Sequence, residues 1–306
     1  LHAHGVDEAA ARGGSLMRSM LFVPGDRPDR FDKAVRSGAD AVIFDLEDAV
    51  TAAGRPQARR NVAERLLASG TREIPHWVRI NPVATDDALD DLAVVAAARP
   101  DGVVLPKART GADLERLDHW LEALERQHGF MRDAIRVVAL VTETAHAVLH
   151  AHTFVAPPPR VVGYSWGAED LAADVGASAN RDADGSYEHA FRAARAACLM
   201  MAAAAGVAAI DTTDIDFRDP AAIERRARES RRDGFSGKLA IHPAQLTPIH
   251  AAFSPSQPEV EWARRVLAAL AAAPGQGAVA IDGRMIDRPH VRQAERILAA
   301  LGRGAP

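Results

Sequence analysis

Cysteine is nearly missing from this chain of 306 residues: there is one, Cys198. A disulfide framework is excluded, and a reducing cytoplasm is the expected home. Cys198 lies in an Ala/Met-rich stretch and reads as a buried packing thiol, not a nucleophile. An excess of one charge is also missing. Lys+Arg 37 against Asp+Glu 41 gives a formal net charge of -4, so no basic field invites nucleic acid. No apolar run approaches the roughly 20 residues that span a bilayer. Leu1 to Ser15 is Ala/Gly-rich and polar, without the apolar centre of a signal peptide. Residues 1–17 read as a loose arm.

What the chain has is a large apolar share, 48%, laid out in a repeating order. Eight short apolar or β-branched runs recur, each followed by a helical stretch. They are 19–25, 41–47, 76–81, 102–107, 136–143, 160–167, 208–213 and 238–243. Between them, Leu114, Leu117, Leu121 and Leu124 fall at helical spacing. Asp219-Pro220 opens a helix and Asp233-Gly234 closes it. Near-continuous apolar strands alternating with amphipathic helices mean a parallel sheet covered by helices. Eight such units predict an α/β fold, a closed (β/α)8 TIM barrel over residues 18–253. Residues 254–306 form a C-terminal extension: a helix over 259–273, a strand over 278–281, a turn at Asp282-Gly283-Arg284 and a last helix from about 289 to 301. It is too short to bury a core alone, so it is expected to pack on its own barrel or on a neighbouring subunit.

Active sites of such barrels collect at the carboxyl ends of the strands. Here those ends carry Asp45 and Glu47, Arg79, Lys107, Glu143, Asp170 and His242. Four carboxylates against two fixed cations leave an imbalance that is costly in a partly dry cavity. A divalent cation removes it. An all-oxygen set without a Cys or a His pair favours Mg2+. Glu143 and Asp170, from adjacent strands roughly 5 Å apart, suit direct ligands, with Asp45 and Glu47 behind them on metal waters or on Lys107. Blander roles stand beside these. The acids can cap the following helices, Arg79 can be a structural ion pair, Lys107 a solvated surface group and His242 a structural histidine. The pairs His2/His4 and His150/His152 have metal-like spacing but read as non-functional.

The same residues lie in motifs that resemble the citrate lyase beta-subunit-like branch of the HpcH/HpaI aldolase superfamily. The motifs are Arg18-Ser19-Met20-Leu21-Phe22-Val23-Pro24-Gly25, Phe44-Asp45-Leu46-Glu47-Asp48-Ala49, Val78-Arg79-Ile80-Asn81, Leu105-Pro106-Lys107 and Glu143-Thr144-Ala145. They continue with Gly167-Ala168-Glu169-Asp170-Leu171, Gly237-Lys238-Leu239-Ala240-Ile241-His242-Pro243 and Asp282-Gly283-Arg284-Met285-Ile286-Asp287. The resemblance runs from about Arg18 to Leu301. It implies Mg2+ on Glu143 and Asp170, Arg79 on the oxo-acid part of the substrate, and Glu169, Ile241 and His242 beside the substrate. It implies that Asp287 works as an acid–base group reaching into a neighbouring subunit of a trimer or hexamer. The sequence departs from the family after Asp174-Val175-Gly176-Ala177, where Ser178-Ala179-Asn180-Arg181 replaces a common Arg-Thr pair.

The implied reaction is cleavage or formation of a carbon–carbon bond beta to a thioester carbonyl. The substrate would be a 3-hydroxyacyl-CoA such as malyl-CoA or citramalyl-CoA, or a citryl thioester. The products would be an acetyl thioester and a 2-oxo acid. The alternatives are a CoA-independent 2-oxo acid aldolase, a subunit that works only in a citrate lyase complex with an acyl carrier protein, and a non-catalytic barrel used for assembly.

Overall fold

The structure is a computed structural model, and it describes residues 17–68, 70–273 and 275–301. Apart from Met17, the N-terminal arm with its His2/His4 pair lies outside the described residues. So do residues 302–306 of the extension.

Eight strands close into one parallel barrel in chain order: β1 (Ser19–Pro24), β2 (Ala41–Asp45), β3 (His76–Arg79), β4 (Gly102–Leu105), β5 (Arg136–Leu140), β6 (Val161–Ser165), β7 (Ala208–Asp211) and β8 (Gly237–Ala240). β8 returns to β1 through Ser19 opposite Lys238. The helices between and after them are α1 (Phe31–Val35), α2 (Arg55–Ala68), α3 (Asp86–Val95), α4 (Gly111–Gln127), α5 (Ala145–Leu149), α6 (Ala168–Val175), α7 (His189–Ala205), α8 (Pro220–Asp233) and α9 (Leu246–Phe253). The fold is the (β/α)8 barrel that the sequence pattern predicts.

Alternation along each strand splits the core in two. Met20, Ala41, Ile43, Trp77, Val104, Val138, Leu140, Ile210 and Leu239 form a cluster drawn from strands alone, which fills the barrel. The intervening strand residues, such as Val42, Phe44, Val78, Val103, Val137 and Tyr164, join Leu66, Leu92, Leu117, Leu121, Phe154 and Phe191 in the layer under the helices. Trp77 fits inside only because β4 begins with glycine. A Cβ on Gly102 would stand 2.2 Å from its ring. Helix ends follow from local chemistry. Thr110 and Asp113 form a capping box on α4, and Asp219 caps α8 by accepting the N–H of Ala222 at 3.0 Å.

The ladders stop earlier than the apolar runs suggest. The runs reach Glu47, Asn81, Lys107, Glu143 and Gly167, but the strands end at Asp45, Arg79, Leu105, Leu140 and Ser165. The overhanging residues leave the sheet at the carboxyl mouth. Leu46, Ile80 and Val141 still donate their N–H groups to the neighbouring strands, to the carbonyls of Arg79, Val104 and Ser165, while the charged side chains beyond them face one another.

After the barrel, α10 (Gln257–Ala271), the hairpin β9 (Ala278–Ile281) and β10 (Arg284–Asp287), and α11 (Arg288–Leu301) pack together. Their shared core is small. Ala263, Val266, Ile286 and Ala294 are buried, with Trp262, Leu270, Val279, Val291 and Leu298 half-buried around them. An ion pair at 2.9 Å between Arg231 on α8 and Glu259 on α10 ties this unit to the barrel. No helix among the described residues is long and apolar enough to cross a membrane.

Candidate active site at the carboxyl mouth of the barrel

The mouth is built around two cations. Arg79, the last residue of β3, donates to both oxygens of Asp45, the last residue of β2: Nε to Oδ1 at 2.7 Å and a terminal nitrogen to Oδ2 at 2.6 Å. The two residues are register partners on neighbouring strands, so the sheet itself sets this bidentate pair. The other arm of the guanidinium lies 3.1 Å from Oε2 of Glu47 and 3.8 Å from Asp48. The ring of Phe22 supports it at 4.8 Å. Burial works against the Arg79 charge, but Asp45 and Glu47 outweigh it and raise its pKa.

Asp45 also accepts the backbone N–H groups of Glu47 at 3.0 Å and Ala49 at 3.2 Å. Both its oxygens are therefore spent on holding Arg79 and shaping the loop after β2. Glu47 is the group that meets Lys107.

Lys107 is the second cation. Its ammonium pairs with Glu47, with Asp48 at 3.1 Å and with Asp170 at 3.1 Å. Its backbone N–H donates to Oε2 of Glu143 at 2.5 Å. Lys107 does this with φ of 51°, a left-handed conformation that is uncommon outside glycine and clusters at functional sites. The proline before it ends β4 and turns the chain at this point.

Glu143 lies three residues past β5 and is buried. The following helix is capped by Thr144, whose side chain accepts the N–H of Ala147. Glu143 is thereby released from capping. Asp170 sits in the first turn of α6, whose N-cap is Gly167. Its carboxylate meets the Lys107 ammonium and, among the described residues, accepts no backbone N–H, so it is not a helix cap either. Gly167 lies against Glu143: a Cβ there would come within 2.5 Å of Oε1. Burial, and then the negative charge of Asp170, push the Glu143 carboxyl well above its ordinary range. Burial likewise raises Glu47 to about 7 against the pull of Arg79 and Lys107. Asp48 moves the other way. Burial acts upward on it, but hydrogen bonding with Glu47 and Lys107 holds it below the usual range.

Asp45, Glu47, Arg79, Lys107, Glu143 and Asp170 thus meet in one cluster. Asp48 belongs to it as well. The sequence signal for Asp48 was its place in the Asp45-Leu46-Glu47-Asp48 run, but strand alternation directed attention to Asp45 and Glu47.

The other candidate residues are disposed differently. Glu169 is exposed and accepts from the side-chain amide of Asn180 at 2.7 Å, so the departing loop Ser178–Arg181 closes on it. Ile241 is exposed just past β8. His242 accepts the N–H of Ala244 on Nδ1 at 3.1 Å, and its ring stacks on Phe217 at 4.2 Å. Phe217 comes from the loop after β7, and nothing in its local sequence marked it. Asp287 is not joined to the cluster by any contact among the described residues. Its partner is His290. Around His150 and His152, the rings of His146 and His150 stack at 4.0 Å. Cys198 is fully buried, and burial pushes its thiol up, which leaves it inert.

The HpcH/HpaI aldolase/citrate lyase family matches residues 18–243, the barrel with every charged residue of its mouth. The chain belongs to that family. It is an enzyme of the lyase class. Among curated relatives it is 38% identical over 282 residues to a citrate lyase subunit beta-like protein of Mycobacterium tuberculosis, covering 92% of this chain and 94% of the relative. It is 34% identical to a (3S)-malyl-CoA thioesterase of Cereibacter sphaeroides, covering 92% and 93%. Among solved structures, CitE of Mycobacterium tuberculosis in complex with magnesium, acetoacetate and coenzyme A superposes with a TM-score of 0.78 at 36% identity, covering 94% of this chain and 98% of that one.

Among the described residues no three His, Cys, Asp or Glu side chains are grouped to hold a metal. Mg2+ does not need such a group: it takes one or two carboxylates and fills its remaining positions with water and substrate oxygens. Glu143 and Asp170 fit that demand. Both are oxygen donors, and the burial and the negative charge of Asp170 that lift the Glu143 carboxyl are what a bound divalent cation would offset.

Proposed function

We propose that this enzyme cleaves or forms a carbon–carbon bond beta to a thioester carbonyl. In the cleavage direction a 3-hydroxyacyl thioester of the malyl, citramalyl or citryl type yields an acetyl thioester and a 2-oxo acid. The observation that carries this reading is the convergence of Glu143 and Asp170 beside Arg79 at one barrel mouth. The complex of the CitE relative with magnesium and coenzyme A supports both the metal and the thioester.

Glu143 and Asp170 would hold Mg2+, which when bound supplies Lewis acidity and a template for two substrate oxygens. Arg79, fixed by Asp45 and Glu47, offsets negative charge on the oxygen that changes between hydroxyl and carbonyl. Lys107 holds Glu47 and Asp48 in place and orients Glu143 through its backbone N–H. Asp287 moves the proton at the acetyl carbon. Since among the described residues no contact brings Asp287 to the mouth of its own chain, the residue serves a neighbouring subunit of a trimer or hexamer, with residues 254–306 as the lid and 18–253 as the catalytic barrel. The Phe217–His242 stack, Ile241 and Glu169 line the approach for the thioester. The single buried thiol suits a reducing cytoplasm.

The test is a panel of malyl-, citramalyl- and citryl-CoA, with and without Mg2+, read by product. Acetyl-CoA plus a 2-oxo acid, formed only with Mg2+, supports the proposal. Free hydroxy acid plus CoA would make the chain a thioesterase. Turnover of free hydroxy acids without CoA would make it a simple aldolase. Activity only on acyl carrier protein thioesters would place it in a citrate lyase complex.

A further inference from the structure

Asp287 ends β10 and immediately precedes α11. From that position a carboxylate ordinarily caps the free N–H groups of the helix. This one does not. Its Oδ1 lies 2.6 Å from Nδ1 of His290, in the first turn of α11. The backbone N–H of Asp287 points at the same nitrogen from 3.3 Å. A 2.6 Å approach to a carboxylate assigns the proton to Nδ1, so the longer approach is not a second bond. No other hydrogen bond or ion pair to either side chain is present among the described residues.

Two side chains 38% and 40% exposed gain little from pairing in water, so stability does not explain why the aspartate gives up its cap. The surroundings hold the pair firmly. Ile286, next to Asp287, is buried in the small core of the extension, and Pro289 stiffens the turn into the helix. Arg265 and Asp282 pair with each other at the hairpin turn. No charged group of α10, the hairpin or α11 competes for Asp287 or His290 among the described residues.

We propose that His290 is the positioning residue for the proton-transferring carboxylate of Asp287. Nδ1–H anchors Oδ1 and turns Oδ2 toward the acetyl carbon of the substrate in the neighbouring subunit. In condensation Oδ2 takes a proton from that carbon, and the C–H electron pair stays on the substrate as the enolate. The proton on Nδ1 remains where it is. The enolate carbon bonds to the 2-oxo carbon, the carbonyl π pair passes to its oxygen and that oxygen takes a proton from water. The carboxylic acid on Asp287 gives its own proton to water after the product leaves, and cleavage runs the same transfers in reverse. This rests on the reading of Asp287 as the acid–base group and adds the residue that aims it.

The experiment compares wild type, His290→Ala, His290→Asn and Asp287→Asn as full-length Mg2+-loaded enzymes on the thioester that the panel identifies. His290→Ala is expected to lower kcat about 10- to 100-fold, the scale of a misaimed catalytic group, with KM and Mg2+ affinity unchanged. His290→Asn, whose side-chain amide can replace Nδ1–H, recovers most of the rate. A His290→Ala enzyme with wild-type kcat, beside an inactive Asp287→Asn, overturns the role of His290 alone. So does a His290→Asn as slow as the alanine variant. Wild-type turnover in Asp287→Asn overturns the reading of Asp287, and this proposal with it.

Discussion

Lys107 gives its backbone N–H to Oε2 of Glu143 at 2.5 Å from a left-handed conformation, and its side chain reaches Asp170 at 3.1 Å. One residue thus touches both acids assigned to the metal. Lys107→Met keeps the length of the side chain and removes its charge. Without Mg2+ this should destabilise the fold by about 1–3 kcal/mol, the scale of leaving partly buried polar groups unpaired. Mg2+ should restore much of the loss. Denaturant titrations with and without MgCl2 measure both. An equal loss in the two conditions would separate Lys107 from the metal site.

Gly167 gives a geometric test. A methyl group there would stand 2.5 Å from Oε1 of Glu143, so Gly167→Ala must shift the carboxylate or the chain. The expected result is Mg2+ affinity at least about tenfold weaker, within the range seen when groups supporting a metal ligand are lost, with the barrel still folded by circular dichroism. Unchanged affinity would mean that Glu143 does not bind the ion from this position.

The raised carboxyls set a pH dependence. Glu143, lifted by burial and Asp170, and Glu47, at about 7, keep protons in the folded chain after the unfolded chain has released them near the ordinary value of about 4.3. Over that window the native state binds more protons, so metal-free stability falls as pH rises through it. A cation that needs Glu143 ionised then expels a proton on binding. Thermal melts should show a larger gain from Mg2+ at pH 8 than at pH 5.5. Calorimetry in two buffers of different ionisation heat, near pH 6.5, should show proton release. A pH-independent gain and no released proton would contradict the assignment.

Among the described residues Asp287 has no contact with the mouth of its own chain. Asp287→Asn should lose about 10²–10⁴ in turnover, the contribution of one acid–base group, while Mg2+ affinity holds. Mixing it with an equally inactive Arg79→Gln should restore part of the activity once subunits exchange. Mixtures no more active than the sum of their parts would place the acid–base step within one chain.

Much of this was legible in the sequence, for a physical reason. A parallel barrel buries both faces of its strands, so each strand appears as an apolar run, and the run ends where charge becomes tolerable. The groups at the ends of β2, β3 and β4, and after β5 and β6, were found that way. The partner choices were not legible. That Asp45 holds Arg79 instead of Lys107 follows from strand register. Phe217 meets His242 through a loop path with no local signature. The left-handed conformation of Lys107, from which its N–H reaches Glu143, has no signal in the local sequence. His290 lies three residues past Asp287, a spacing that on its own looks like any helix start.

The central claim is that Glu143 and Asp170 together hold one Mg2+ ion. Calorimetric titration of Mg2+ into wild type, Glu143→Gln and Asp170→Asn addresses it directly. One site in the wild type, lost or weakened at least about a hundredfold in each variant, is the predicted result. Wild-type affinity in either variant would contradict the claim.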